Sequence, residues 1–111
     1  RMKTIPDKWV IVKISKEKEE TIYRVFASWA GGYLHGDSWR LNSGIKSIYK
    51  EGGSYRVSGY SGSHYVCNEN YYGVTGNSNK AVLDEFIERG GRHGYSVEVL
   101  PEDFDFLNLK L

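Results

Sequence analysis

Short apolar runs and two-residue alternation fill most of the chain, and a helical stripe appears only in its last third. Residues 9–14, Trp9-Val10-Ile11-Val12-Lys13-Ile14, are β-branched and almost continuously apolar, which predicts a strand. Residues 21–27 predict its return partner, and Lys16-Glu17-Lys18-Glu19-Glu20 between them predicts a solvated turn. A second hairpin is predicted from residues 45–50 and 55–60, joined by Glu51-Gly52-Gly53-Ser54, whose glycines suit a tight turn. Alternation puts Tyr55, Val57 and Gly59 on one of its faces and Arg56, Ser58 and Tyr60 on the other. Residues 64–68 predict a fifth strand, and residues 95–99 a last one, stopped by Pro101. The tail, residues 102–111, alternates as well. It predicts an edge strand or a segment that grips a partner.

Val82, Leu83, Phe86 and Ile87 form one apolar stripe at helical spacing. Asn77, Ser78 or Asn79 can cap the start of that helix, and Gly90-Gly91 can end it. Residues 30–44 fit neither period. They carry four glycines with Tyr33 and Trp39, and a loop this long in a small domain is often functional. The expected fold is α+β, a mostly antiparallel sheet of five to six strands with one helix packed on one face. Phe86, as part of the stripe, is expected to cost about 3–5 kcal/mol on truncation to alanine.

Residues 1–111 read as a single domain. Apolar residues make up 40% and charged residues 26% of the chain, which suits a folded globule. Arg1 ahead of Met2 reads as an addition before the native start, and the N-terminal residues lack the apolar core of a signal peptide. No apolar run approaches the roughly 20 residues that cross a bilayer. The single cysteine, Cys67, permits no internal disulfide, which favours a reducing compartment and a cytoplasmic location. Net charge is +1, well short of the basic balance of a duplex-DNA binder. Its distribution is uneven: residues 21–80 hold six basic and three acidic side chains, and residues 101–111 three acidic and one basic.

Catalytic signatures are sparse. Gly59-Tyr60-Ser61-Gly62-Ser63 lacks the glycine placement and the following helix of a nucleophile elbow, and reads as a turn. His64 and Cys67 would face opposite sides of a strand, which argues against a shared metal; Cys67 reads instead as a small buried residue. No phosphate loop, dinucleotide fingerprint or calcium loop is present, so no cofactor is expected. An enzyme would need the histidines, Cys67 and carboxylates such as Asp37 and Glu69 to converge in space.

Residues 54–79 stand out, because 18 of these 26 are Tyr, Ser, Gly or Asn. Tyrosine offers broad contact at low entropic cost, and Ser, Gly and Asn offer adaptable hydrogen bonds. Two binding readings follow. In one, the tyrosine-rich face and residues 31–44 dock on another protein, with Tyr33, Trp39 and Arg40 as anchors. In the other, exposed tyrosines stack on unpaired bases while Arg24, Arg40, Lys46, Lys50 and Arg56 meet phosphates of a single strand. The candidate binding residues are Tyr33, His35, Asp37, Trp39, Arg40, Arg56, Tyr60 and His64. A homodimer through edge-strand pairing stays open.

The run from Ala30-Gly31-Gly32-Tyr33-Leu34-His35-Gly36-Asp37-Ser38-Trp39-Arg40 to Gly44, with Tyr60-Ser61-Gly62-Ser63 and Val99-Leu100-Pro101-Glu102-Asp103, resembles small accessory proteins of tailed bacteriophages that have no assigned activity. The resemblance spans most of the chain and carries no catalytic residue. It implies a bacterial host cytoplasm and a host protein as the partner of a non-enzymatic module.

Overall fold

Strand β1 (Lys8–Ser15) is apolar at successive positions because both of its faces are covered. In the computed structural model, which describes residues 3–31 and 36–111, Val10, Val12 and Ile14 are buried on one side and Trp9 and Ile11 on the other. Strand β2 (Ile22–Trp29) returns antiparallel, with Val10 opposite Phe26 and Ile11 opposite Val25. The chain continues through β3 (Ser38–Leu41), β4 (Ile45–Glu51), β5 (Ser54–Gly59), β6 (His64–Asn68), helix α1 (Gly76–Arg92) and β7 (Ser96–Val99). The first sheet has the order β3-β2-β1-β7 and the second β4-β5-β6, with every neighbouring pair antiparallel.

The class is α+β with one α-helix among the described residues, as the periodicity predicts, but the seven strands described there are divided between two sheets. The additional strand is β3, which lies within the stretch that showed no period. Three layers result. Helix α1 lies on one face of the first sheet, where Leu83 joins Val10, Val12, Ile14, Phe26 and Val97. The second sheet lies on the other, where Ile45, Val57, Tyr65 and Cys67 meet Trp9, Ile11, Val25 and Ala27.

The helix ends differ from expectation. Thr75 occupies the N-cap position without a side-chain cap bond. Its amide instead donates to the buried Ser28 hydroxyl at 3.0 Å. Asn79, a predicted cap, is buried and donates to the Ser38 carbonyl at 3.0 Å and to Thr75 Oγ1 at 2.9 Å, tying the first helical turn to β3. At the other end the helix runs through Gly90 and Gly91. Tyr95 N donates to Gly90 O and Gly94 N to Gly91 O, the Schellman pattern, with Gly94 at φ +84° supplying the left-handed residue. Gly90 serves packing instead. A methyl group there would lie 2.6 Å from Val97 Cγ2, so glycine lets the helix settle directly on β7.

The tail forms no strand. It makes a 3-10 turn at Phe106–Asn108, and Phe106 is buried among Trp9, Tyr55 and Tyr72 at ring separations of 5.4–5.6 Å. Its alternation therefore reflects one core anchor flanked by exposed residues. Phe106→Ala is expected to destabilise the fold by about 3–5 kcal/mol in urea unfolding. Phe86 is only half-buried and should cost less than the sequence suggests.

Where the β1–β7 ladder stops, the Tyr72 hydroxyl takes its place. It accepts from Ile11 N at 3.0 Å and donates to Leu100 O at 2.7 Å. Burial pushes this phenol up to about 12, partly offset by the Ile11 amide. Its folded value lies above that of an exposed phenol, about 10. The stability it contributes is therefore whole below pH 10 and lost as pH rises toward 12. Unfolding free energies measured across that window should fall, and Tyr72→Phe should remove part of the slope. The remainder belongs to other buried groups, Cys67 among them.

Candidate functional site

The residues singled out by the sequence do not share one surface. Tyr33 and His35 lie outside the described residues. Asp37 sits against the start of α1, where its carboxylate accepts from Ser78 Oγ at 3.1 Å and complements the positive end of the helix. Trp39 and Arg40 are neighbours on β3 and so point to opposite faces. Arg40 turns toward the buried Tyr65 hydroxyl and partly offsets the rise in its pKa that burial causes. Arg56 and His64 lie on the outer face of the second sheet. Arg56 pairs with Glu51 at 3.4 Å, and His64 Nδ1 lies 3.2 Å from Ser58 Oγ. Tyr60, 65% exposed, stands on the turn between β5 and β6.

Most of the described tyrosines pack against the core. Tyr65 is buried, Tyr23, Tyr55 and Tyr72 pack against the core between the sheets, and Tyr95 packs beneath the helix. Among the described tyrosines only Tyr49, Tyr60 and Tyr71 are exposed. The basic residues expected to meet phosphates are similarly dispersed. Arg24 faces the helix side of the first sheet, Arg40 the opposite side, and Arg56 the outside of the second sheet. Lys50 is held by Glu69 at 2.6 Å, a contact that raises its pKa. No single basic groove collects them.

Cys67 and His64 sit at opposite-facing positions of β6, with Cys67 fully buried. Burial pushes the Cys67 thiol up to about 12, so it stays protonated and poorly nucleophilic at neutral pH. Among the described residues no three His, Cys, Asp or Glu side chains are grouped to hold a metal ion.

A concavity lies where Trp39 meets the helix. A helix is about 10 Å across, while four strands at about 4.8 Å spacing span nearly twice that. The helix crosses the sheet from β3, where Asn79 holds its first turn, to β7, where Gly90 meets Val97. On this face of β2 Phe26 and Ser28 are buried, and Trp39 on β3 is the open side chain beside them. There Trp39 stacks on Phe26 at 5.7 Å and 12°, yet remains 47% exposed. With Ala81, Val82, Glu85, Phe86 and Arg89 it lines a hollow of about 410 Å³. A second hollow, about 230 Å³, is lined by Ile14, Ile22, Arg24, Phe86 and Tyr95. Phe86 lines both.

Of the candidates read from the sequence, Trp39 lines the first hollow and Arg24 the second. Val82 and Phe86 were assigned to the core stripe, and Arg24 was grouped with the phosphate-binding candidates.

Treatment of the native protein with a thiol-specific reagent tests the description of Cys67. Modification should track unfolding and be negligible under native conditions. Rapid stoichiometric labelling of the folded protein would contradict it.

Scanned against protein-family models, curated proteins and solved structures, the chain matches none of them, so its own geometry carries the functional argument.

Proposed function

We propose that the chain is a non-enzymatic binding module that docks on a partner protein through the apolar hollow where Trp39 meets α1. One observation carries this reading: Trp39 presents a half-exposed indole over a groove walled by Val82 and Phe86. Tryptophan in a partly desolvated pocket is the side chain that most often dominates interface energetics, because docking completes the burial of a large rigid ring. Stacking on Phe26 holds that ring in place beforehand, so little rotamer entropy remains to be lost. The resemblance to tailed-phage accessory proteins supplies the setting, a bacterial cell, and makes a host protein the partner.

Single-stranded nucleic acid fits this site less well. The groove is largely apolar, and the exposed tyrosines lie apart from one another. Stacking platforms need aromatic faces beside a continuous basic track.

The test is capture from nuclease-treated bacterial lysate with wild-type protein, Trp39→Ala and Tyr60→Ala side by side. A protein partner held by wild type and Tyr60→Ala should be lost with Trp39→Ala, at a cost of about 2 kcal/mol or more in the purified complex. Capture that ignores Trp39, or that disappears with nuclease, would overturn the reading.

A further inference from the structure

The second sheet is open along one side. Its edges are β4 and β6, and the β6 edge is closed by the N-terminal segment, where Thr4 N donates to His64 O and Val66 N to Thr4 O. The β4 edge is the longer, at seven residues. Among the described residues no backbone group bonds to it from outside the sheet.

The hairpin decides which groups of β4 face outward. Gly52, at φ +60°, and Gly53 make a two-residue turn, so Glu51 and Ser54 form the hydrogen-bonded pair that closes it. Alternation then makes Tyr49–Arg56 and Ser47–Ser58 the other bonded pairs. The far side of β5 agrees. Gly59 N donates to Ser63 O and Glu69 N to Gly53 O, so the odd-numbered residues there bond toward β6. Ile48 and Lys50 therefore turn their amides and carbonyls away from β5. The edges of the first sheet offer less: β3 and β7 have four residues each, the Ser38 carbonyl of β3 is taken by Asn79, and Val97 of β7 is buried beneath α1.

A row of outward amides and carbonyls is met in full by another extended backbone, which adds to the sheet as a further strand. Neighbouring side chains narrow the choice. Ile48 is half-buried and packs on the same core as Leu109, and the 3-10 turn against β4 carries Leu107, 49% exposed. A residue set opposite Ile48 shares that inner face, which favours an apolar side chain. Lys50 is already paired with Glu69, so no acid is needed opposite it, but a second cation there is repelled. The bulge between Ile45 and Ser47 ends regular pairing and confines the added strand to Ser47–Glu51. A second copy of β4 fits poorly. Symmetric pairing sets Lys50 against Lys50 or Ile48 of the other copy, or at its bulge, and never against a carboxylate.

We infer that β4 is a docking edge, separate from the Trp39 hollow, that takes an extended segment of a partner protein as an added strand. The segment bonds the amides and carbonyls of Ile48 and Lys50, sets an apolar residue opposite Ile48 and excludes lysine and arginine opposite Lys50.

Proline gives a clean test, because Lys50 N is not used by the β4–β5 ladder. Lys50→Pro deletes one outward donor and keeps the hairpin, while Lys50→Ala keeps the donor and controls for the lost side chain. Displayed random peptides of about ten residues, enough for one strand, are selected on wild-type protein with counter-selection on Lys50→Pro. A synthetic winner should bind wild type and Lys50→Ala alike, and Lys50→Pro at least about tenfold more weakly. Methylating the peptide's own amides should block binding at alternate positions only. In the free protein, hydrogen exchange should be fast at the Ile48 and Lys50 amides and slow at Tyr49, and the peptide should protect the first two. Thermal unfolding checks that Lys50→Pro is folded; if it is not, Ile48→Pro against Ile48→Ala repeats the comparison at the other outward amide. Recovery of no proline-sensitive peptide would overturn the inference, as would slow exchange at Ile48 and Lys50 in the free monomer. Winners lost equally with Trp39→Ala would belong to the hollow and overturn it too. Protection of both amides that rises with protein concentration alone would assign the edge to a second copy and overturn the partner strand.

Discussion

Burying both faces of β1 is the constraint from which the layered arrangement follows. Val10, Val12 and Ile14 demand cover on one side, and Trp9 and Ile11 demand it on the other. An antiparallel sheet with one wet face would show alternation here, and this strand shows an almost unbroken apolar run. The helix answers one demand, and the β4-β5-β6 sheet with Phe106 answers the other. Neither supplier suffices alone, because a chain of 111 residues has little core to spare. The second sheet is tied in further by its N-terminal edge, where Thr4 N donates to His64 O and Val66 N to Thr4 O.

Much of this was legible from the amino acids. The two hairpins, β6, the helix stripe and β7 each repeat with a period that their own segments make plain. Strand β3 was not. Ser38-Trp39-Arg40-Leu41 alternates, but for two periods only and in a glycine-rich setting, and its edge position comes from pairing with β2 and from the Asn79 amide. The tail misled in the opposite direction. Asp103-Phe104-Asp105-Phe106 has a strand's alternation, yet the ring of Phe106 fits a gap between Trp9, Tyr55 and Tyr72 that no local pattern announces. The division into two sheets depends on which hairpins pair, a long-range choice only hinted at by the double burial of β1.

The candidate site was legible in one residue. Trp39 was expected at a surface and is found there, half-buried over a groove. The remaining tyrosine-rich composition suits contact loops, but tyrosine is also a good strand residue. Tyr65 and Tyr72 show why composition alone could not separate the two uses. Both hydroxyls lie in the interior with protein partners of their own, so their rings count as core.

Several ladders in this small fold end on a side chain instead of a backbone group. Asn42 Oδ1 accepts from Val25 N at 2.8 Å beyond the end of β3, and Tyr72 bridges Ile11 to Leu100 beyond the end of β7. Tyr72 also packs against both hydrophobic clusters, one on each side of the first sheet. It is thus a bolt passing through the central layer. Neither outer layer can peel away without disturbing a ring that the other also holds. The two cores are therefore expected to open as one cooperative unit, with the Ile11 amide exchanging its hydrogen with solvent on the timescale of global unfolding.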